Sequence, residues 1–149
     1  MNSFEQLIGN RVLVSAVVGW FVAQVLKTVI HTIVAKKFEP ERLTGSGGMP
    51  SSHSSTVCAM AAVSGQIYGL GSFEFAVTVI LAIIVMHDAM GVRLETGKQA
   101  KLINEIVETF KTMNGKTLAE ERLKEFVGHT PLQVLMGALL GIIIGLLLA

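Results

Sequence analysis

The sequence predicts an all-α fold: a polytopic membrane helix bundle with about four transmembrane helices, plus one or two amphipathic helices in a 94–128 insertion. Three observations lead there. Hydrophobic residues make up 51% of the chain, charged residues only 15%, and the mean hydropathy is +0.60, a composition foreign to a soluble globule. Apolar runs of about 20 residues recur, long enough to cross a hydrocarbon core of about 30 Å as helices. The charged residues collect between these runs rather than along them. At 149 residues the chain is read as one integral membrane domain. The opening Met1-Asn2-Ser3-Phe4-Glu5 lacks a basic stretch, so no cleavable signal is expected. The single Cys58 excludes an intrachain disulfide and reads as a small packing residue. No nucleic-acid partner is expected.

The first span covers about 12–34. Gln24, Lys27 and His31 interrupt it at spacings that place all three on one helix face. A lysine inside hydrocarbon is costly, so this face should look into the bundle or a wet cavity. It reads as a polar lining near a site, or as Lys27 snorkelling or pairing with Asp88. The second span, about 52–70, is rich in Ser, Ala and Gly, which lets neighbouring helices approach closely. Gly69-Leu70-Gly71-Ser72 makes a tight turn into the third span, about 73–90. That span ends in His87-Asp88, with Arg93 just beyond.

Within 94–128, Leu102, Ile103, Ile106, Val107 and Phe110 follow helical spacing and give an amphipathic helix. Asn114-Gly115 breaks it, and Thr117-Leu118-Ala119-Glu120 resembles a capping box for a second short helix ending at Gly128. These helices should lie on the membrane surface or cover a site. The last span, 131–149, opens with Thr130 as N-cap and Pro131 at the first helical position. Its Gly137, Gly141 and Gly145 make a small-residue face for tight helix contact. A homodimer through that face is one expectation.

The stretch from Thr44 to Thr56 carries the chemistry. Its glycines, Gly47 and Gly48 among them, free the backbone to converge N–H groups on an anion. After Pro50, Ser51 or Ser52 can cap a helix whose positive end faces the same point, with His53 in its first turn. Together these residues suggest a held phosphate. The plain alternative is a capping loop between membrane helices with a wetted histidine. Four crossings would put Arg42, His53, Asp88, Arg93 and His129 at one membrane face. The same face would hold ten of the twelve Lys and Arg residues. The positive-inside rule then makes that face cytoplasmic and leaves both termini outside.

With these residues laid out, the chain resembles the type 2 phosphatidic acid phosphatase and vanadium haloperoxidase superfamily, most closely its small divergent bacterial branch. Pro50-Ser51-Ser52-His53 corresponds to the family's Pro-Ser-Gly-His motif, with Ser in place of Gly. Val92-Arg93 stands where the family has Ser-Arg, and His129, Gln133, Gly137 and Gly141 stand where it has His-x3-Asp followed by spaced glycines. The family's first motif, Lys-x6-Arg-Pro, is not met, because Arg42 is followed by Leu43 and position 35 is alanine. Lys36 or Lys37 could supply its charge. Far more residues separate Arg93 from His129 than in the family pattern, and the insertion accounts for them.

The resemblance implies phosphoryl transfer through a phosphohistidine at His129, with His53 as acid and base and no metal or other cofactor. It implies that Arg93, Arg42, Lys36, Ser51, Ser52, Gly47 and Gly48 hold the phosphate. Asp88 would orient Arg93 or His53, and Gln133 would orient His129 without the charge of a carboxylate. The implied substrate is a phosphate monoester or diphosphate, on a lipid or another phosphate ester. Gln133 and Val92 support an alternative, a non-catalytic lipid-phosphate-binding or assembly protein that retains the fold. A metal hydrolase built from His53, His87, Asp88 and His129 lacks ligand spacing, and a transporter subunit would use the polar face of the first span.

Overall fold

A computed structural model describes residues 2–37, 48–114, 123 and 128–149. It contains α1 (Ser3–Gly9), α2 (Arg11–Ala35), α3 (Ser52–Tyr68), α4 (Phe73–Met90), α5 (Val92–Asn114) and α6 (Pro131–Leu148). No strand occurs among the described residues. Three helical stretches are long and apolar enough to cross a membrane: α2, the run that begins with α4, and α6. The protein is an all-α membrane bundle.

α3 packs against α2, α4 and α6 and forms the inner member of the bundle. This position explains its composition. Nine of its 17 residues are buried, and they are mostly Ser, Ala and Val. A helix shielded from lipid by its neighbours needs slender side chains more than apolar ones. Its hydroxyls are bonded internally: Ser55 Oγ donates to the Gly19 carbonyl of α2 at 2.8 Å, and Thr56 Oγ1 to the Ser52 carbonyl at 2.7 Å.

α6 lies along α3 in the same direction. Gly137 faces the Ser51 carbonyl, Gly141 the Ser55 carbonyl and Gly145 the Ala59 carbonyl, each so closely that a Cβ would collide with the backbone oxygen. The stripe foreseen as a dimer face is therefore filled by α3 of the same chain. The Ser51 N–H donates to the Gln133 carbonyl at 3.0 Å and locks the register of the two helix starts. α2 and α4 run the opposite way, so their C-terminal ends meet the N-terminal ends of α3 and α6.

The helix ends follow the caps read from the sequence. Ser51 caps α3, and Thr130 caps α6 with Pro131 in the first turn; Ser72, read from the sequence only as part of a turn, caps α4. Two features differ from expectation. α1 precedes the first span, started by an Asn2–Glu5 capping box. α5 begins at Val92, with Gly91 alone separating it from α4, and is 23 residues long. Its Asn104 side chain clasps the backbone of Leu123, donating to the carbonyl at 2.9 Å and accepting from the N–H at 3.0 Å. The Thr117–Glu120 cap lies outside the described residues.

Gly141→Ala tests the α3–α6 contact. Overpacking of this kind costs about 1–3 kcal/mol, so the midpoint of thermal unfolding in detergent should fall clearly below that of Gly71→Ala. A Cβ at Gly71 meets nothing within 4 Å. Equal midpoints for the two variants would contradict the packing.

Candidate functional site

The site forms at the end of the bundle where α3 and α6 begin and α2 and α4 end. His129 is placed from three directions. Gly128, at φ +91°, presses so closely on Arg93 and Leu94 at the start of α5 that no Cβ fits. The His129 N–H donates to the Ala89 carbonyl in the last turn of α4 at 2.9 Å. Thr130 and Pro131 then start α6. The result is a histidine side chain only 1% exposed, held just outside the helix.

His53, in the first turn of α3, stands against it. The ring centroids are 5.9 Å apart in an edge-to-face arrangement of 62°. His53 Nδ1 is buried and has no hydrogen-bond partner among the described residues. His129 Nδ1 lies 3.3 Å from Gln133 Oε1. That oxygen already accepts the Thr130 N–H at 3.1 Å, so it presents lone pairs to the ring and holds the His129 proton on Nδ1. Nε2 keeps its lone pair. Gln133 thus closes the helix cap and orients the histidine at once.

Burial lowers the His129 pKa below the ordinary histidine value. The charges of His53 and Lys27 push the same way, while hydrogen bonds to Gln133 and the Gly48 backbone oppose them. The ring is neutral over the physiological range, the state a nucleophile requires.

Lys27 is the site residue that motif matching passed over. It is 3% exposed, and its Cγ and Cδ would lie 3.0 and 3.1 Å from a Cβ at Gly48. Its charge acts on both histidines. Gly48, at φ +87°, therefore brings the loop onto the lysine stem. The polar face Gln24–Lys27–His31 carried the signal, because an intramembrane lysine is retained where it faces a site. Lys36 sits at the exposed C-cap of α2 and does not act on either ring in this way. Asp88 pairs with Arg93 rather than Lys27, accepting from Nε at 2.6 Å. Both of these charges also reach His53.

Ser51 and Ser52 are buried. Ser51 is already engaged: its hydroxyl accepts from the Ser54 N–H and hydroxyl, and its N–H bonds Gln133. It secures the start of α3. Arg42 and Gly47 lie outside the described residues. His87 is exposed on another face of α4. No cluster of His, Cys, Asp or Glu among the described residues could hold a metal ion.

Two comparisons extend this picture. A family model described as the divergent PAP2 family matches residues 8–144. The chain is also 39% identical to the Bacillus subtilis protein named "Uncharacterized membrane protein YuiD", over 97% of each chain. No solved structure matches it.

Because the folded pKa of His129 is depressed, the unfolded chain takes up a proton first as pH falls. This histidine's stabilisation is complete above about pH 6.5 and is lost on acidification toward its lowered folded value. Histidine-selective NMR in micelles should show His129 titrating with a midpoint below that of free histidine. A midpoint at or above about 6.5 would contradict its burial.

Proposed function

The chain belongs to the divergent PAP2 family, and from that membership and the geometry of the site we propose that it is a membrane phosphatase acting through a phosphohistidine. The carrying observation is the pair of facing histidines, one neutral and held by an acceptor at Nδ1, beside a buried lysine. His129 Nε2 attacks phosphorus, and the P–O bond to the leaving group breaks. His53 gives its proton to the departing oxygen. It then takes a proton from the water that attacks the phosphohistidine, and inorganic phosphate leaves with both rings restored.

Lys27 and Arg93 carry the positive charge that meets the equatorial oxygens, where transition-state charge gathers. Asp88 holds the Arg93 guanidinium. The backbone around Gly48 completes the cradle, and Arg42 and Gly47 are carried over from the family pattern. A metal ion has no part in this scheme. The clustering of Lys and Arg at this end argues for the cytoplasmic membrane, with the site on the cytoplasmic side and both termini outside.

One observation favours a second reading. At Gln133 an amide stands where a carboxylate would stabilise the imidazolium. In a Ser-His-Asp triad the Asp-to-Asn exchange costs about 10⁴ in rate. A lipid-phosphate binder that keeps the fold would tolerate the amide.

Phosphate release from a panel of lipid phosphates and diphosphates, with and without EDTA, separates the two. Release should survive EDTA, vanish in His129→Ala, fall at least tenfold in Lys27→Met and rise at least tenfold in Gln133→Asp. Absence of release in every folded variant, with retained binding of lipid phosphate, would move the assignment to the binder. Equal release by wild type and His129→Ala would sink the phosphohistidine.

A further inference from the structure

The two sides of α5 have different surroundings. Gly97, Ala100 and Asn104 are buried, and the returning chain holds the helix from there: Asn104 clasps Leu123, and Gly128 presses on Leu94. The other side carries Leu102, Ile106, Phe110 and Met113, between 47% and 77% exposed. At a rise of 1.5 Å per residue this stripe is roughly 16 Å long. Among the described residues α5 touches no helix except α4, so the stripe is not turned onto the bundle.

The stripe continues a side that already meets lipid. The winding passes through Gly91 with its hydrogen bonds intact. The Gly91 N–H donates to the His87 carbonyl at 2.9 Å, and the Glu95 N–H to the Gly91 carbonyl at 3.0 Å. Eighteen residues make about five helical turns, so Leu102 falls on the same side as Ile84. Ile84 is exposed, with Val77, Ile80 and Leu81 around it, on a run apolar enough to cross a membrane. Between the two apolar stretches the same side carries Asp88, Glu95 and Gln99, the polar interval that a helix passing the head groups needs.

Gly91, at ψ −94°, is the single residue between α4 and α5, and glycine is a common site of helix kinks. A bend toward the Ile84 side turns the stripe down onto the bilayer, whereas a bend the other way lifts it into water. The charges along the helix fit the first case. Lys98 bonds Glu95 at 2.6 Å and Lys101 lies 3.9 Å from Glu105, so they are neutralised within α5 and leave a protein partner little to read. Four apolar side chains also fall short of the roughly 20–30 residues a side in a stable protein interface. A bilayer needs neither, and α4 already holds α5 beside one.

We propose that α5 is an interfacial arm that bends at Gly91 toward the lipid-facing side of α4 and seats Leu102, Ile106, Phe110 and Met113 in the head-group layer. A helix seated in this way sinks its apolar face by roughly 5–10 Å. The arm is independent of the phosphatase reading.

Tryptophan quenching in bilayers tests it. The chain has one tryptophan, Trp20, so Trp20→Phe with Phe110→Trp puts a single reporter on the stripe. Trp20→Phe with Glu108→Trp puts one on the opposite, exposed side of α5. Each protein is placed in phosphatidylcholine vesicles whose acyl chains are brominated near the head-group end. The bromines should quench the reporter at position 110 at least twofold and aqueous iodide should barely reach it. The reporter at position 108 should show the reverse. Adding Leu102→Gln and Ile106→Gln to the first protein should at least halve its quenching by bromine and leave the thermal unfolding midpoint of the bundle in place.

Three outcomes would overturn the proposal. Strong iodide quenching at both positions would put the arm in water. A reporter at position 110 shielded from bromine and iodide alike would mean that a protein surface, such as a second copy of the chain, covers the stripe. Undiminished quenching by bromine after the two glutamine substitutions would mean that something other than the stripe holds the arm.

Discussion

The structure depends on the contact between α3 and α6, where three glycines meet three backbone carbonyls. In hydrocarbon, burying apolar surface brings helices no advantage, so close backbone approach and hydrogen bonds must hold them together. Glycine permits that approach, and the Ser51–Gln133 backbone bond fixes its register. The two helices run in parallel, so their N-terminal ends emerge side by side. Each presents the positive end of a helix dipole to the same point. The two histidines stand at these two starts, His53 just inside one and His129 just outside the other. Their mutual geometry is a consequence of helix packing and needs no dedicated scaffold.

That contact also explains how a membrane bundle can keep a polar helix at its centre. α3 is screened by α2, α4 and α6, so serine hydroxyls on it need backbone partners rather than lipid compatibility. Ser55 finds the Gly19 carbonyl, whose glycine lets the two helices come within reach. A bulkier α3 would push α6 outward and carry Gln133 and His129 with it. One choice of small residues therefore sets both the core and the spacing of the histidines.

Much of this was legible in the residues. Hydropathy marked the three long apolar helices, α2, α4 and α6, and Ser51, Thr130 and Pro131 marked helix starts because capping is local chemistry. The convergence of His53, Asp88, Arg93 and His129 followed from counting crossings, which needs only the alternation of up and down. Three features were less accessible. The part played by Lys27 depends on which neighbour its face meets, and spacing along one helix reports the face but not the neighbour. The use of the glycine stripe within the chain rather than between chains is equally a matter of partner, since both contacts want the same residues. The early start of α5 escaped because Asp88 and Arg93 read as a membrane boundary, whereas the backbone resumes a helix after a single residue. Arg42, Gly47 and the Thr117–Glu120 cap lie outside the described residues.

Gln133 concentrates the balance between folding and chemistry. At the third position of α6 it must accept the Thr130 N–H to complete the cap, and it must meet His129 Nδ1. A glutamine does both with one oxygen and stays neutral. Neutrality suits a ring that burial already keeps unprotonated, because a carboxylate there would pull the resting histidine toward its charged form. What the amide forgoes is stabilisation of the positive ring as a bond to phosphorus forms. The buried charge of Lys27 cannot replace it, since a cation opposes imidazolium as surely as it attracts phosphate. The site is thus built to hold an anion against a neutral ring, and the rate at which that ring reacts hangs on how much charge the phosphate itself brings to it.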